Sequence, residues 1–195
     1  MLIISSTLMS QNQVNFGEMN LPVRMTRNIG VSGTWGWNGL TGLGATLQYY
    51  ISPHFGLDAG LGLALSGYKF SGRVRYLFLE KNFSPLIGVG YIYSTGFPGQ
   101  LTDFEDEDGR TVTVEILPSS FIQIVGGIEF VVNGGFFMMA NLGYAIQIND
   151  NVNYIAGSPS ANFDRAMQII YRNGIVFEIS IGYIFGNKGK FKGKL

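Results

Sequence analysis

The run from Gly174 to Phe185 puts Phe177, Ile179, Ile181, Tyr183 and Phe185 at every second position, with Glu178, Ser180 and Gly182 between them. A period of two marks a β-strand, because successive side chains leave the pleat on opposite sides. This strand therefore has one apolar face and one face of small, polar and charged residues. A soluble sheet would bury the apolar face in a core. A barrel in lipid would turn it outward and keep the small and polar residues inside. The other strands decide between the two.

The same alternation recurs upstream. Ile29, Val31, Gly33, Trp35 and Trp37 alternate with Gly30, Ser32, Thr34 and Gly36, and Asn38-Gly39 turns the chain because both residues tolerate positive φ. Leu43, Ala45, Leu47 and Tyr49 then face Gly44, Thr46, Gln48 and Tyr50, up to the turn Ser52-Pro53-His54. Phe55, Leu57, Ala59, Leu61 and Leu63 oppose Asp58, Gly60 and Gly62. Tyr68, Phe70, Val74 and Tyr76 oppose Lys69, Ser71, Arg73 and Arg75. Ile87, Val89, Tyr91 and Tyr93 face Leu86, Gly88 and Gly90, while Ile122, Ile124, Ile128 and Phe130 face Gln123, Gly127 and Glu129. After Asn133-Gly134-Gly135, a strand carrying Ala140, Leu142, Tyr144 and Ile146 opposes Asn141, Gly143, Ala145 and Gln147.

With the last run this makes eight strands, an even number, each near the length that a tilted transmembrane strand needs. Only two connections are long, residues 94–119 and 149–173. Both follow odd-numbered strands, so both fall at one end of a barrel, as in outer-membrane barrels with short periplasmic turns and long external loops.

Charge decides the solvent. Only 13% of the chain is charged, against about 25% in an ordinary soluble domain. The strand charges, Asp58, Lys69, Arg73, Arg75, Glu129 and Glu178, all share the face of Gly, Ser, Thr and Gln. So few charges cannot solvate an exterior, but they can pair inside a narrow lumen. The expected fold is all-β, an eight-stranded antiparallel up-and-down transmembrane β-barrel over residues 29–185, with its apolar face toward lipid. Residues 1–10 read as a signal-peptide remnant, 11–28 as a polar, irregular leader and 186–195 as a basic tail of alternating Lys and Gly.

The runs Gly42-Leu43-Gly44-Ala45-Thr46-Leu47-Gln48-Tyr49-Tyr50, residues 55–63 and Phe83-Ser84-Pro85-Leu86-Ile87-Gly88-Val89-Gly90-Tyr91 resemble the small bacterial outer-membrane β-barrel superfamily. That superfamily includes the OmpA transmembrane domain and OmpX-like, porin-like barrels. The resemblance covers residues 30–185 and implies an outer-membrane location, outer-membrane lipid as surroundings, and contact with the barrel-insertion machinery. Chains of this kind end on an aromatic residue that the machinery reads. Here Tyr183 and Phe185 have the right phase, but ten residues follow, so the resemblance implies an internal version of that signal.

The inward charges carry the first functional expectation. An eight-stranded interior is just wide enough for side chains to fill. The six lumen charges are expected to form a salt-bridged plug, with Asp58, Arg75, Glu129 and Glu178 at one depth and Arg73 one pleat further. The competing reading is a narrow porin-like channel for ions or small solutes. The second candidate is the acidic stretch Asp103, Glu105, Asp106, Asp108 and Gly109, read as a hairpin turn that protrudes and offers strand edges to a surface ligand. Asp106, Asp108, Gly109 and Glu115 half-fit a calcium loop, but Phe104 occupies its first ligand position, so no metal site is expected.

His54 is the only histidine and falls in a short turn, which disfavours a lipid-modifying enzyme. Trp35, Trp37, Tyr49, Tyr50, Tyr68, Tyr76, Tyr91, Tyr93 and Tyr183 read as an interface girdle. Zero net charge without a basic surface argues against nucleic acid as a partner. No cofactor and no catalytic residue is expected. The reading is a monomeric, non-enzymatic barrel with a structural or surface-interaction role exercised through residues 94–119 and 149–173.

Overall fold

The computed structural model describes residues 23–186. The segments read as a signal remnant and as a basic tail lie outside the described residues, apart from Gly186. A short helix α1 (Val23–Thr26) leads into strands β1 (Ile29–Trp37), β2 (Leu43–Tyr50), β3 (Phe55–Ala64), β4 (Gly67–Leu77) and β5 (Phe83–Ser94). Then come β6 (Leu101–Glu105), β7 (Thr111–Ile116), β8 (Ser119–Val131), β9 (Phe136–Gln147), β10 (Val152–Ala156), helix α2 (Ala161–Tyr171) and β11 (Gly174–Phe185).

Eight of these strands close into a barrel in the order β1-β11-β9-β8-β5-β4-β3-β2, every pair antiparallel. The seam joins the first strand to the last, in register from Ile29 opposite Phe185 to Trp37 opposite Phe177. Alternation along each strand sets which side chain enters the lumen. On β11, Val176, Glu178, Ser180 and Ile184 are buried while Phe177, Ile181, Tyr183 and Phe185 are exposed. The turns β2–β3, β4–β5 and β8–β9, the start of β1 and the end of β11 share one end of the barrel, here the short-turn end, while the β1–β2 and β3–β4 links lie at the other. Both long connections leave from that second end.

Aromatic residues collect on the outside near both ends. At the short-turn end Phe55 pairs with Tyr76, Phe83 with Phe130, and Tyr183 with Phe136. At the other end Trp37 pairs with Phe177 and Tyr68 with Leu63. Tyr50, grouped with the girdle by its position near a strand end, is a correction. It has inward parity, is 2% exposed, and its ring lies under the Arg75 guanidinium.

Three further departures from the sequence reading concern connections. The segment taken as an irregular leader ends as α1, whose Val23 packs inside the barrel with Leu77, Val131, Phe137 and Ile184. The β1–β2 connection is wider than a two-residue turn. Asn38 takes φ 51° as expected, but the link runs to Gly42 (φ 69°) and swings Leu40 into the lumen against Ile92, Val125 and Val176. The long connections are not simple loops either. The β6–β7 hairpin forms as read, but β10 from the second connection pairs with β7 and completes a three-stranded sheet. That covers one of the two edges the hairpin was expected to offer, and leaves the β6 edge.

Helix α2 follows from local chemistry. Ser160 caps it, its Oγ accepting from Phe163 N at 3.2 Å, and Asp164 sits in the first turn, where the helix dipole favours an acid. Phe163, Met167 and Tyr171, at helical spacing, pack against Val112, Val114 and Ile116 of β7 and Val152 of β10. The loop region thus has its own small core.

Candidate functional site: a charged relay through the barrel

The strand pattern carries the charged side chains inward, and glycines make room for them. Arg75 on β4 lies between Gly56 on β3 and Gly88 on β5, and Arg73 has Gly90 beside it. A Cβ placed on Gly56 would sit 3.1 Å from Arg75 Nη2. Long side chains fill an eight-stranded interior only where their neighbours are this small.

The relay starts at the short-turn end. Arg24, on α1, donates through Nε to Glu129 Oε1 at 2.7 Å and through Nη1 to the Lys81 carbonyl at 2.6 Å. Glu129 Oε2 accepts from the Tyr50 hydroxyl at 3.0 Å and from Arg75 Nη1. Arg75 Nε donates to Asp58 Oδ1 at 2.9 Å, and Arg73 Nε donates to Asp58 Oδ2 at 2.9 Å. Arg73 Nη1 then reaches Glu178 Oε1 at 2.8 Å, which also accepts from Asn141 Nδ2 at 2.9 Å. Glu178 Oε2 accepts from the backbone N–H of Leu40 at 2.6 Å, in the inturned β1–β2 link.

Three guanidiniums and three carboxylates therefore alternate without a break, and each of the six side chains is no more than 1% exposed. Taking ions out of water costs several kcal/mol each, which only close pairing and added hydrogen bonds offset. Here each carboxylate has at least two charged or polar donors. Apolar clusters close the relay at both ends, around Val23 on one side and Leu40 on the other.

Five of the six predicted lumen charges, Asp58, Arg73, Arg75, Glu129 and Glu178, are brought together. Lys69 points inward and is buried, but forms no ion pair among the described residues. Its place as the third cation is taken by Arg24. Equal depth for Asp58, Arg75, Glu129 and Glu178 does not hold: Glu129 meets α1 at one end of the barrel, and Glu178 meets the β1–β2 link at the other. The count along the strands itself separates them, since Asp58, Arg75 and Glu129 lie close to the short-turn ends of β3, β4 and β8 while Glu178 lies well inside β11. The sequence reading missed Arg24, Tyr50, Asn141 and Leu40. Parity alone would have supplied Tyr50 and Asn141.

The acidic hairpin has a different role from a free acidic tip. Asp106 is buried and accepts from Ser160 N at 2.9 Å and Ser160 Oγ at 2.7 Å, tying the hairpin to the start of α2. The Ser160 hydroxyl holds its carboxyl below the usual carboxylate range. Asp103 accepts from Thr113 Oγ1 at 2.7 Å, Asp108 pairs with Arg110, and Glu105 and Gly109 stay exposed at the turn. On α2's side, burial together with Asp164 pushes the Tyr154 phenol up to about 12. His54 is engaged in its turn, with Nδ1 2.7 Å from the Leu77 carbonyl and Nε2 3.1 Å from Glu80. Tyr183 and Phe185 lie on the outer face at the seam, their rings 5.1 Å apart, and the Tyr183 hydroxyl accepts from Arg27 Nη1 at 2.9 Å.

Fold and surface together define the class: a small, closed, eight-stranded up-and-down β-barrel with an apolar exterior and a filled, charged interior. Among solved structures the chain is similar to Acinetobacter baumannii CarO, at 11% identity and a TM-score of 0.36, over 81% of this chain and 98% of that one. It is similar also to Acinetobacter baumannii CarO2, at 11% identity and a TM-score of 0.33, over 82% and 99%. Overlap this loose carries none of the argument; the class rests on the strand pairing. No protein-family model matches the sequence, and neither does any curated protein.

Proposed function

We propose that this chain is a bacterial outer-membrane β-barrel protein with a filled, non-conducting lumen, working as a structural or surface-interaction protein through its long-loop end. The unbroken relay from Arg24 to Leu40 is the observation that carries this reading. Every charge in this chain is held by a partner and buried, and apolar clusters lie at both of its ends, as in an interior filled by side chains. The exterior supports the location. Leu, Ile, Val, Phe and Tyr side chains stand exposed on every barrel strand, far beyond the few hundred Å² of contiguous apolar surface that a soluble monomer tolerates.

The loop region supports the surface role. It has its own apolar core, is tied together by Asp106 and Ser160, and presents the β6 edge beside an acidic turn. An exposed strand edge of this kind suits an extended, basic segment of a partner.

Recording from planar bilayers tests the lumen: the protein is expected to give no steady current, and large, steady currents would establish the narrow-channel reading instead. Fractionation with gel mobility before and after boiling tests the location, where a soluble protein whose mobility ignores heating would overturn it. Trypsin added to intact cells is expected to cut at the exposed Arg110, and protection there would remove the surface role. A change in membrane lipid A mass on deleting the gene would favour a lipid-modifying enzyme.

A further inference from the structure

Helix α2 uses one face for the loop core and leaves another over the barrel rim. Arg165 and Ile169, four apart, share this second face, opposite the buried Met167, and Arg172 follows as the C-cap of the helix. Below it lies a cleft of about 500 Å³ whose floor is the upper end of β9, with Tyr144 and Ile148. Those two residues continue the outward apolar band of Met138, Leu142 and Ile146 on the same strand. The cleft therefore opens where the apolar exterior ends and the polar loop region begins.

Its polar side carries two guanidiniums, Arg165 and Arg172. Neither Arg165 nor Arg172 forms an ion pair among the described residues, and Asp150 is the single carboxylate lining the cleft. Arg172 Nε and Gln147 Nε2 are buried and meet no acceptor among the described residues. Buried polar donors are normally matched, and leaving one unmatched costs about 1–3 kcal/mol. The acceptor that suits two guanidiniums over an apolar floor is an anion joined to hydrocarbon.

We propose that this cleft binds the phosphate-bearing headgroup of a lipid in the adjoining leaflet. Arg165 and Arg172 grip the phosphate, and the acyl chains run down Tyr144, Ile146 and Ile148. The inference rests on the membrane reading above. It adds a defined anionic-lipid site to what would otherwise be a uniform apolar wall.

Native mass spectrometry of the full chain from neutral-detergent micelles tests it, with phosphatidylglycerol and phosphatidylcholine as separate dopants. Wild type is expected to retain phosphatidylglycerol in preference to phosphatidylcholine. Replacing both arginines, Arg165→Gln with Arg172→Gln, should cut that retention about tenfold, the worth of one charge-assisted hydrogen bond. Arg110→Gln on the distal hairpin should leave it unchanged, and the double Lys variant should restore part of it. Equal retention in wild type and the double Gln variant, or no preference for the anionic lipid, would sink the proposal. So would displacement by millimolar glycerol phosphate, which would make this a site for a soluble phosphate. Flotation with phosphatidylcholine vesicles separates the two readings. A protein that does not float fails the membrane reading, and one that floats without retaining anionic lipid fails the cleft alone.

Discussion

Arg24 and Glu129 stand 105 positions apart in the chain and meet at 2.7 Å inside the barrel. One belongs to the helix that precedes the first strand, the other to a strand on the far side of the long hairpin. Glu129 also carries Arg75 and Tyr50, so it is the node on which two guanidiniums converge. Glu129→Ala should leave both arginines buried without their shared carboxylate and cost about 3–5 kcal/mol. Urea titration in vesicles, read by the heat-sensitive gel shift, measures it. A loss within experimental error would show that the relay is incidental to stability.

Glycine next to Arg75 offers a paired test. Gly56→Val would push its side chain into the Arg75 guanidinium, from a Cβ already 3.1 Å from Nη2, and overpacking of this kind costs about 1–3 kcal/mol. Gly33→Ala, on the outer face with nothing within 4 Å of the new Cβ, should be close to neutral. The same unfolding titration compares them, and equal effects would contradict the packing account.

Trp35 and Trp37 are 59% and 45% exposed on the outer face of β1, near the long-loop end. In lipid, both indoles should lie at one interface. Fluorescence from the reconstituted protein should be quenched by lipids brominated high on the acyl chain and only weakly by aqueous iodide. The reverse order would place these residues in water.

Acid should loosen the loop region before the barrel. The Asp106 carboxyl titrates below its ordinary range because Ser160 donates to its charged form. A depressed folded-state pKa contributes stability that is fully present above the ordinary carboxylate range and is lost as pH falls through the lowered value. Protection of the Ser160 amide, its observed exchange rate compared with the intrinsic rate at the same pH, is therefore expected to fall on acidification, and Asp106→Asn should show the lower protection already at neutral pH. Protection that does not change with pH in wild type would disprove the tether.

Strand by strand, the sequence shows which face each side chain occupies, because parity is local: Arg73, Arg75, Glu129 and Glu178 all point inward as read. It does not show who meets whom across the lumen. The Arg73–Glu178 pair depends on closure and tilt, which no single strand encodes. Short elements were harder still. Helix α1 has four residues and no period to read, and β10 has five. Helix α2 did carry a signal, since Ser160 as cap and Phe163, Met167 and Tyr171 at helical spacing are visible in the sequence. They lie in a stretch rich in Asn that reads as loop.

The β1–β11 seam has a consequence for assembly. Arg73 sits on β4, but its second carboxylate, Glu178, arrives only with β11, the last strand to be made. Until the seam zips, a half-built barrel holds a guanidinium with one partner missing and an amide of Leu40 with nothing to donate to. Neutralising the interior and closing the cylinder are then a single event. A chain truncated before β11 would be marked as unfinished by its own stranded charge.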